Sequence, residues 1–322
     1  MPIAKVSGCG SYLPEKIVTN DDLSKTIDTN DQWIRERTGI GQRHIAAKGE
    51  MTSDLAANAA KQAMKDADIA PENIDLIMVA TTTPDKTFPS TAAYVQAKIG
   101  NTTAAAMDLQ AVCSGFVYGL HLADALIQAG SHKNILLIGA EVMSRVLDWE
   151  DRGTCILFGD GAGAFVIQAT EGSKDTDSAI LHSQIHCDGS FTDILTTNGG
   201  TSFNQQAGTI FMEGGEVLRH AVSKMSGASK QAMDAAGLTS DDIDWVVPHQ
   251  ANQRILLSCA KKLGAHEDKL ISTVEHHANT SSASIPLAID AAYRAGKIKD
   301  KNILLLPALG AGLTWGSCII RW

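Results

Sequence analysis

Segments rich in alanine alternate along the chain with short runs of branched aliphatic residues. Two of these runs, Ile74–Ala80 and Ile135–Ile138, contain almost no polar side chain, and each follows a segment with helical spacing. An apolar run without polar alternation is typical of a strand buried on both faces. The pattern therefore predicts helix-then-strand units of an α/β protein.

The same pattern occurs twice. Met64–Val79 resembles Met233–Val247, and Ala129–Ile138 resembles Ala295–Leu306 in the same order and at nearly the same offset along the chain. Self-similarity at a fixed spacing is the signature of a repeated structural unit. We therefore expect two related α/β halves that meet near the polar segment Glu171–Asp175.

Composition narrows the functional classes. The chain has 322 residues, of which 44% are hydrophobic and 20% charged, which is typical of a globular protein. Its formal net charge of −9 argues against a general binder of nucleic acid or anionic membranes. Met1–Pro14 lacks the basic and apolar regions of a signal peptide, and no apolar run approaches the roughly 20 residues that span a bilayer. We expect a cytoplasmic protein.

The six cysteines are scattered without a C-x-x-C pair, and no histidine spacing suggests a metal site. We therefore expect reduced thiols, no disulfide framework and no metal. Most of these cysteines and most of the histidines are expected to be structural, because small thiols usually fill cores. This group comprises Cys9, Cys155, Cys187, Cys259, Cys318, His44, His121, His132, His182, His186, His220, His266 and His276. The role of His277 stays open.

Cys113 differs from the other cysteines in its position. A small-residue strand, Ala104–Leu109, precedes it, and a segment with helical spacing, Phe116–Gly130, follows Gly115. A cysteine between a strand and a helix is presented by a sharp turn, as nucleophiles are in hydrolases. The positive end of the helix favours the thiolate. We interpret Cys113 as a nucleophile.

The repeat places two polar residues opposite this cysteine. Asn279 is separated from Cys113 by the same offset that separates Gly130 from Gly296, which predicts that it begins the equivalent helix of the second half. His249 is separated from Ala80 by the offset between Met64 and Met233, so it should follow the second-half equivalent of the strand Ile74–Ala80. We expect the three side chains to converge where the halves join.

Four ordered motifs around these residues resemble the β-ketoacyl-acyl carrier protein synthase III family, and the resemblance extends from Gly8 to Trp322. The motifs are Val112-Cys113-Ser114-Gly115, Pro248-His249-Gln250-Ala251-Asn252, Asn279-Thr280-Ser281-Ser282-Ala283-Ser284 and Thr314-Trp315-Gly316-Ser317. The resemblance implies a duplicated thiolase fold in a five-layer αβαβα arrangement, with halves 1–172 and 173–322. It also implies a homodimer.

The resemblance implies a reaction as well. An acyl group, with acetyl as our hypothesis, moves from coenzyme A to Cys113. Malonyl-acyl carrier protein then loses carbon dioxide and attacks the thioester. His249 and Asn279 would donate hydrogen bonds to the malonyl thioester oxygen, and the backbone N–H groups of Cys113 and Ala311 would hold the second anion. Coenzyme A thioester is then a substrate, and no cofactor is bound permanently.

Further residues match family positions that contact the substrates. Trp33, Arg37 and Arg152 would hold the adenine and phosphates of coenzyme A, and Asn252 and Gly214 would line the pantetheine tunnel. Two phenylalanines would shape the acyl pocket, Phe158 directly and Phe88 by reaching across the dimer. A basic set would dock the acidic carrier protein: Arg219, Arg254, Lys261 and Lys262. Core packing and ordinary solvation are the alternative interpretations of these aromatic and basic residues.

Two positions depart from the family pattern. Gly310-Ala311-Gly312 stands where the family often has three glycines, and a positive φ at Ala311 would be strained. Ala278 precedes Asn279 where glycine is frequent, which could tilt the Asn279 carboxamide.

Several alternatives stay open. Gly159–Gly163 has the glycines of a dinucleotide loop, but an apolar strand rather than a helix follows it, so we expect tight backbone packing there. A degradative thiolase would need a second catalytic cysteine, which Cys318 does not fit. Hydroxymethylglutaryl-CoA synthases use a glutamate near the nucleophile, and plant-type polyketide synthases are longer. Two further alternatives are a condensing enzyme of secondary metabolism and a non-enzymatic scaffold.

Overall fold

The computed structural model describes residues 2–322, and its regular elements alternate between strands and helices along most of the chain. The strands are β1 (Ile3–Tyr12), β2 (Lys16–Thr19), β3 (Gln42–Ile45), β4 (Leu76–Ala80), β5 (Ala105–Leu109), β6 (Asn134–Val142), β7 (Asp160–Thr170), β8 (Ala179–Cys187), β9 (Leu195–Thr197), β10 (Ile210–Met212), β11 (Trp245–Val246), β12 (Ile303–Gly310) and β13 (Thr314–Arg321). The helices are α1 (Asn20–Leu23), α2 (Asp31–Thr38), α3 (Thr52–Asp66), α4 (Thr91–Ile99), α5 (Gly115–Gln128), α6 (Arg152–Cys155), α7 (Gly214–Ala236), α8 (Gln253–Leu263), α9 (Val274–His277) and α10 (Ser284–Arg294).

Two mixed sheets share one topology. The first has the order β1-β7-β6-β4-β5, and the second has the order β8-β13-β12-β11. In each sheet the first three strands pair antiparallel and the next pair is parallel. The second sheet thus repeats the first without an equivalent of β5 among the described residues. This agrees with the duplicated fold expected from the sequence.

The sheets and helices form layers. Helices α5 and α10 pack between the two sheets, while α3 covers the outer face of the first sheet and α7 and α8 cover the outer face of the second. Strands β4, β6 and β12 are buried along almost their whole length. Burial on both faces explains their uninterrupted apolar sequences. The connection between β7 and β8 contains the expected boundary at residues 172 and 173.

The turns before the two central helices correct one prediction. The backbone of Ala111 and Val112 (φ −139° and 48°) matches that of Thr280 and Ser281 (φ −99° and 51°). Cys113 therefore corresponds to Ser282 in this turn, and Asn279 lies three residues before that equivalent position. Helix α10 has 11 residues and α5 has 14. The offset used to relate Cys113 to Asn279 therefore holds at the C-terminal ends of the two helices but not at their N-terminal ends.

Glycines permit the close contact between the layers. A Cβ on Gly163 would lie 2.7 Å from the Pro286 side chain, and one on Gly139 would lie 2.4 Å from the Ser282 carbonyl oxygen. Residues 160–163 of the segment Gly159–Gly163 already belong to β7, and they serve this packing, as expected for a segment that continues as a strand rather than a helix.

Residues 2–322 contain neither a candidate membrane span nor a candidate metal site. No helix in this range is long and apolar enough to cross a membrane. No three His, Cys, Asp or Glu side chains in the same range form a group that could hold a metal ion.

Candidate active site

One cavity of about 1170 Å³ opens between the two halves, and Cys113, His249 and Asn279 all line it. The three side chains come from three separate stretches of sequence, and each residue is only 4 to 6% exposed. Their convergence on one cavity agrees with the sequence expectation. A deep cavity with a few polar groups is the usual form of a small-molecule site.

Cys113 lies in a 3-10 turn, Val112–Ser114, between β5 and α5. Burial raises the pKa of its thiol to about 12, and the negative charge of Glu141 adds to the rise, whereas a hydrogen bond with Ser281 opposes it. Burial therefore opposes the thiolate that the helix end favours. The helix end favours the anion, but loss of water around a buried sulfur disfavours it more.

His249 follows β11 on an extended backbone. Its N–H donates to the Pro307 carbonyl oxygen (2.8 Å), which continues the pairing with β12 beyond the two residues of β11. Burial lowers the pKa of the imidazole to about 3, so the ring is neutral near pH 7. Its Nδ1 lies 2.8 Å from the Ser284 hydroxyl oxygen, and that oxygen also accepts from the Gln250 N–H (3.2 Å). If the hydroxyl donates to Nδ1, the ring carries its proton on Nε2.

The backbone and the carboxamide of Asn279 are both fixed. Its N–H donates to Leu157 (2.9 Å), and its carbonyl oxygen accepts from Gly159 (3.0 Å). The side-chain Oδ1 accepts from the Ser281 N–H at 2.9 Å. With the oxygen held in this way, the NH₂ group is the part of the carboxamide that can donate to another molecule.

A fully buried carboxylate, Glu141 on β6, joins the two halves behind the cysteine. Its Oε1 accepts from the hydroxyls of Ser281 (3.1 Å) and Ser282 (2.9 Å), both in the second half. Its Oε2 accepts from the Thr83 hydroxyl (2.6 Å) and the Thr82 N–H (3.0 Å) of the first half. Burial raises the pKa of this carboxyl, and the hydrogen bonds oppose the rise.

The loop between β12 and β13 packs directly on the cysteine turn. A Cβ on Gly310 would lie 2.6 Å from the Ala111 carbonyl oxygen and 2.8 Å from the Cys113 nitrogen, so only glycine fits there. Ala311 lines the cavity, and the positive φ of this loop (132°) falls on Gly312. The strain considered for Ala311 is therefore absent. Ala278, in contrast, has φ 58° and ψ −158°, which is a region that glycine favours.

The residues expected at the coenzyme A site form a cluster on the surface. The guanidinium carbons of Arg37 and Arg152 lie 4.2 and 4.6 Å from the centre of the Trp33 ring. Arg152 also donates to the Asp28 carbonyl oxygen at 2.8 Å. Two cations over one indole form a positive, aromatic surface suited to an anionic, planar ligand.

The other expected substrate residues fall into two groups. Gly214, Asn252 and Phe158 line the cavity, and the Asn252 side chain also caps α8 by accepting from the Ile255 N–H (3.0 Å). Phe88 lies in the loop between β4 and α4, where it is 81% exposed and outside the cavity lining of this single chain.

The expected basic set divides between α7 and α8. Arg219 is exposed on α7 and ion-paired with Glu216. Arg254, Lys261 and Lys262 are exposed on α8, and Arg254 donates to the Glu36 carbonyl oxygen at 3.0 Å.

The sequence analysis missed three functional candidates: Glu141, Ser281 and Ser284. The two serines lie in the motif that carries Asn279, but their contacts are set by a turn that residue spacing does not encode. Glu141 had a readable signal, because it is the one charged residue in the apolar run Ile135–Val142. A buried charge inside a strand is rare unless it is paired or functional.

The comparisons with known proteins agree with this geometry. Residues 107–189 match the family described as 3-oxoacyl-[acyl-carrier-protein] synthase III, and residues 233–322 match its C-terminal part. A β-ketoacyl-[acyl-carrier-protein] synthase III from Rhodospirillum centenum is 52% identical, with 100% of both chains covered.

Two solved structures show the same arrangement of elements. A 3-oxoacyl-[acyl-carrier-protein] synthase III from Aquifex aeolicus is 42% identical with a TM-score of 0.94, covering 99% of this chain and 100% of that one. The priming β-ketosynthase of a polyketide biosynthetic pathway is 32% identical with a TM-score of 0.93, covering 99% and 96%.

Proposed function

The chain belongs to the 3-oxoacyl-[acyl-carrier-protein] synthase III family, and on that premise we propose that it starts fatty acid synthesis by condensing an acyl group from coenzyme A with malonyl-acyl carrier protein. The observation that carries the proposal is the convergence of Cys113, His249 and Asn279 on one cavity. The family's enzymes are also called β-ketoacyl synthases, since 3-oxoacyl and β-ketoacyl name the same group.

In the first half-reaction, the Cys113 sulfur attacks the acyl-CoA carbonyl and coenzyme A leaves as a thiolate. The acyl group is then bound to Cys113 as a thioester intermediate. Forming this intermediate divides one difficult reaction into two easier ones. The tetrahedral oxyanion is held by the backbone N–H groups of Cys113 and Ala311. The close fit of Gly310 against the cysteine turn supports this pairing, because it brings the two loops together.

In the second half-reaction, malonyl-acyl carrier protein loses carbon dioxide and negative charge develops on its thioester oxygen. Neutral His249, with its proton on Nε2, and the NH₂ group of Asn279 donate to that oxygen. Ser284 and the Ser281 N–H hold the opposite ends of these two groups. Preorganised donors of this kind each contribute about 10² to 10³ in rate. The resulting carbanion attacks the acyl-cysteine and gives the 3-oxoacyl product.

Other residues bind the parts of the substrates that do not react. Trp33, Arg37 and Arg152 bind the nucleotide of coenzyme A, and the pantetheine arm extends along Asn252 and Gly214. The acidic carrier protein docks on the basic set Arg219, Arg254, Lys261 and Lys262, close to the cavity mouth. Coenzyme A thioester enters as a substrate, no permanently bound cofactor takes part, and the enzyme works in the cytoplasm.

We also propose a homodimer built on two units, 1–172 and 173–322. Strand β5 ends the first sheet with no strand on its outer edge among the described residues, and its Met107 is 37% exposed. A second copy of the chain pairs with this edge. Phe88 of each copy then closes the acyl pocket of the other copy, and each pocket is also lined by the Phe158 of its own chain.

Sedimentation should give twice the mass of the chain, and Met107→Lys should shift the measured mass toward that of the monomer.

Mass spectrometry after incubation with acyl-CoA tests the proposed function. We expect a single acyl group on Cys113, with acetyl-CoA reacting faster than isobutyryl- or octanoyl-CoA. Cys113→Ala should abolish labelling, and Cys155→Ala, which removes a buried thiol outside the cavity, should not.

The same experiment separates primary from secondary metabolism. A strong preference for a longer or branched primer would favour the second candidate, a condensing enzyme of secondary metabolism, which the similarity to a polyketide priming enzyme supports. Labelling of another residue, or of none, would contradict the proposed function itself.

A further inference from the structure

Two hydroxyl groups join the cysteine turn to the loop between β12 and β13. The Ser114 Oγ lies 2.7 Å from the Thr314 Oγ1 and 2.8 Å from the Ala111 carbonyl oxygen. The Thr314 Oγ1 lies 2.9 Å from the same Ala111 oxygen and 3.1 Å from the Ala311 carbonyl oxygen. Ser114 is fully buried, and Thr314 lines the cavity. Four polar groups from two distant stretches of sequence therefore meet beside the nucleophile.

The directions of the two hydroxyl protons follow from the groups that need a donor. The Ala111 carbonyl oxygen already accepts from the Ser114 N–H at 3.1 Å. The Ala311 carbonyl oxygen accepts from no backbone N–H in residues 2–322, so we assign the Thr314 proton to it. The Thr314 oxygen then accepts from the Ser114 hydroxyl, which is the shortest of the four contacts. Hydrogen bonds connected in series in this way strengthen one another.

The Ala311 N–H faces no acceptor in the main chain. It donates to no backbone carbonyl oxygen in residues 2–322, although Ala311 is half-buried where it lines the cavity. Backbone N–H groups that are removed from water are almost always paired. An N–H of this kind at a cavity wall is suited to an oxygen atom of a bound molecule, which is the role that the proposed function gives it.

The orientation of Ala311 depends on both of its neighbouring peptide groups. The turn between β12 and β13 consists of residues 311–313, and Gly310 pairs with Thr314 at its base. This pairing holds the peptide group that contains the Ala311 N–H. The Thr314 hydroxyl holds the next peptide group through the Ala311 carbonyl oxygen. Gly312, which follows at once, adds rotational freedom that this hydrogen bond restrains.

We propose that Thr314 positions the Ala311 N–H for the oxyanion that forms during acylation of Cys113. The Thr314 hydroxyl does so by connecting the Ala311 carbonyl group to the cysteine turn. The inference rests on the proposed function, in which Cys113 is the nucleophile and Ala311 supplies one oxyanion donor. Thr314 acts through Ala311, so it is a positioning residue, and no bond to its hydroxyl forms or breaks in the reaction.

The close packing of Gly310 does not replace this hydroxyl. A Cβ on Gly310 would lie 2.8 Å from the Cys113 nitrogen, so the contact sets how near the two turns can approach. A steric contact does not select one rotation of a peptide group. A hydrogen bond does, because it weakens steeply as its angle departs from linear.

Two reactions of the same sulfur separate positioning of the oxyanion donor from a general structural role. Acylation by acetyl-CoA passes through a tetrahedral oxyanion, whereas alkylation by iodoacetamide displaces iodide and forms no oxyanion. The ratio of the acylation rate to the alkylation rate at one pH therefore reports the oxyanion donors. Loss of folded protein, or a less reactive thiol, lowers both rates together and leaves the ratio unchanged.

Thr314→Ser and Thr314→Ala form a matched pair, since both lose the γ-methyl group and only the second loses the hydroxyl. We expect Thr314→Ser to be acylated within about threefold of the wild-type rate and Thr314→Ala at least about tenfold more slowly, which is part of the factor of about 10² to 10³ that one oxyanion donor contributes. Both variants should be alkylated within about threefold of the wild-type rate, because alkylation develops no oxyanion.

Two results would overturn the proposal. One is an acylation rate of Thr314→Ala equal to that of Thr314→Ser. The other is a Thr314→Ala variant whose acylation and alkylation rates fall by the same factor, since the hydroxyl would then act on the cysteine and not on Ala311. If Thr314→Ala does not fold, Thr314→Val removes the same hydroxyl while filling its space, and the same lowered ratio is expected.

Two further variants serve as controls. Ser114→Ala keeps the hydrogen bond between Thr314 and Ala311, so its rate ratio should stay within about threefold of the wild type. A loss as large as that of Thr314→Ala would contradict the assigned proton directions and the role of Thr314. Thr196 lines the same cavity, but its hydroxyl contacts only the carbonyl oxygen of Thr197, so Thr196→Val should keep the wild-type ratio.

The outcome is separable from that of the proposed function. If acetyl-CoA labels Cys113 in the wild type while Thr314→Ser and Thr314→Ala have the same rate ratio, only the positioning role of Thr314 fails. If acetyl-CoA does not label Cys113 at all, the proposed function fails first and this inference fails with it.

Discussion

At the residue scale, Ala278 holds a backbone conformation that costs energy. Its φ of 58° and ψ of −158° lie in a region that glycine occupies freely and that costs other residues about 1 to 3 kcal/mol. Ala278 is fully buried and immediately precedes Asn279, so packing maintains this conformation. The protein therefore keeps strain beside the carboxamide that we propose to be catalytic.

Ala278→Gly should release that strain. Fully buried Ala283, with φ −75°, is a matched control because it loses the same methyl group without relief. We expect Ala278→Gly to be more stable than Ala283→Gly by about 1 to 3 kcal/mol in urea denaturation. Equal losses of stability in the two variants would show that Ala278 is not strained.

One buried and one half-buried histidine, His249 and His277, make stability depend on pH. Burial lowers the pKa of His249 to about 3 and is the main cause that lowers the pKa of His277 to about 4, from an ordinary value of 6.5. Below about pH 6.5 the unfolded chain takes up these protons and the folded protein does not. The free energy of unfolding should therefore fall with pH by up to about 1.4 kcal/mol per unit for each histidine.

Urea denaturation near pH 7 and near pH 4.5 measures this effect. His277→Gln should lose less stability than the wild type between the two conditions, while His266→Gln, at a surface position that is not buried, should lose as much as the wild type. A His277→Gln variant with the wild-type slope would contradict the assignment.

The same scale shows what residue-level sequence reasoning leaves out. The sequence showed the helix end that favours a Cys113 thiolate, but not the burial and the Glu141 charge that raise the pKa of the thiol. Both depend on residues that are distant in sequence: Glu141 lies on β6 and Ser281 precedes α10. Local sequence indicates which residue can react, but the three-dimensional environment sets its pKa.

At the element scale, the strands were predictable because burial on two faces leaves a clear sequence pattern. The expected strand Ala104–Leu109 and helix Phe116–Gly130 are observed as β5 and α5 within two residues at each end. The turn before α10 was not predictable. Helix α10 is three residues shorter than α5, which shifts the repeat so that Ser282, and not Asn279, is the structural equivalent of Cys113. Asn279 nevertheless reaches the cavity, from the segment just before that turn.

The contact between the β12–β13 loop and the cysteine turn gives a prediction at this scale. Gly310→Ala should destabilise the protein by about 1 to 3 kcal/mol and slow Cys113 acylation, because its Cβ would push the loop and the Ala311 N–H away. Gly227→Ala, in an open position within α7, should stabilise the protein by about 0.5 to 1 kcal/mol. Thermal unfolding and acylation rates measure both changes. A neutral Gly310→Ala would mean that the loop does not need this close contact.

At the scale of the whole molecule, duplication explains why one site can use residues from three distant stretches. Each half contributes a sheet and a central helix, and the cavity forms where the helices begin and the halves meet. The repeat could be read from the sequence because both halves keep the same helix-then-strand order. The buried carboxylate at the seam could not be assigned a role, since its partners come from both halves.

Separate measurement of the two half-reactions in single variants tests the proposed chemistry most sharply. Acylation of Cys113 by acetyl-CoA is followed by mass spectrometry, and carbon dioxide release from radiolabelled malonyl-acyl carrier protein is followed independently. We expect His249→Ala and Asn279→Ala to acylate Cys113 within about threefold of the wild-type rate and to release carbon dioxide at least about 100-fold more slowly. Release at the wild-type rate by either variant would contradict the claim that these two donors stabilise the malonyl anion.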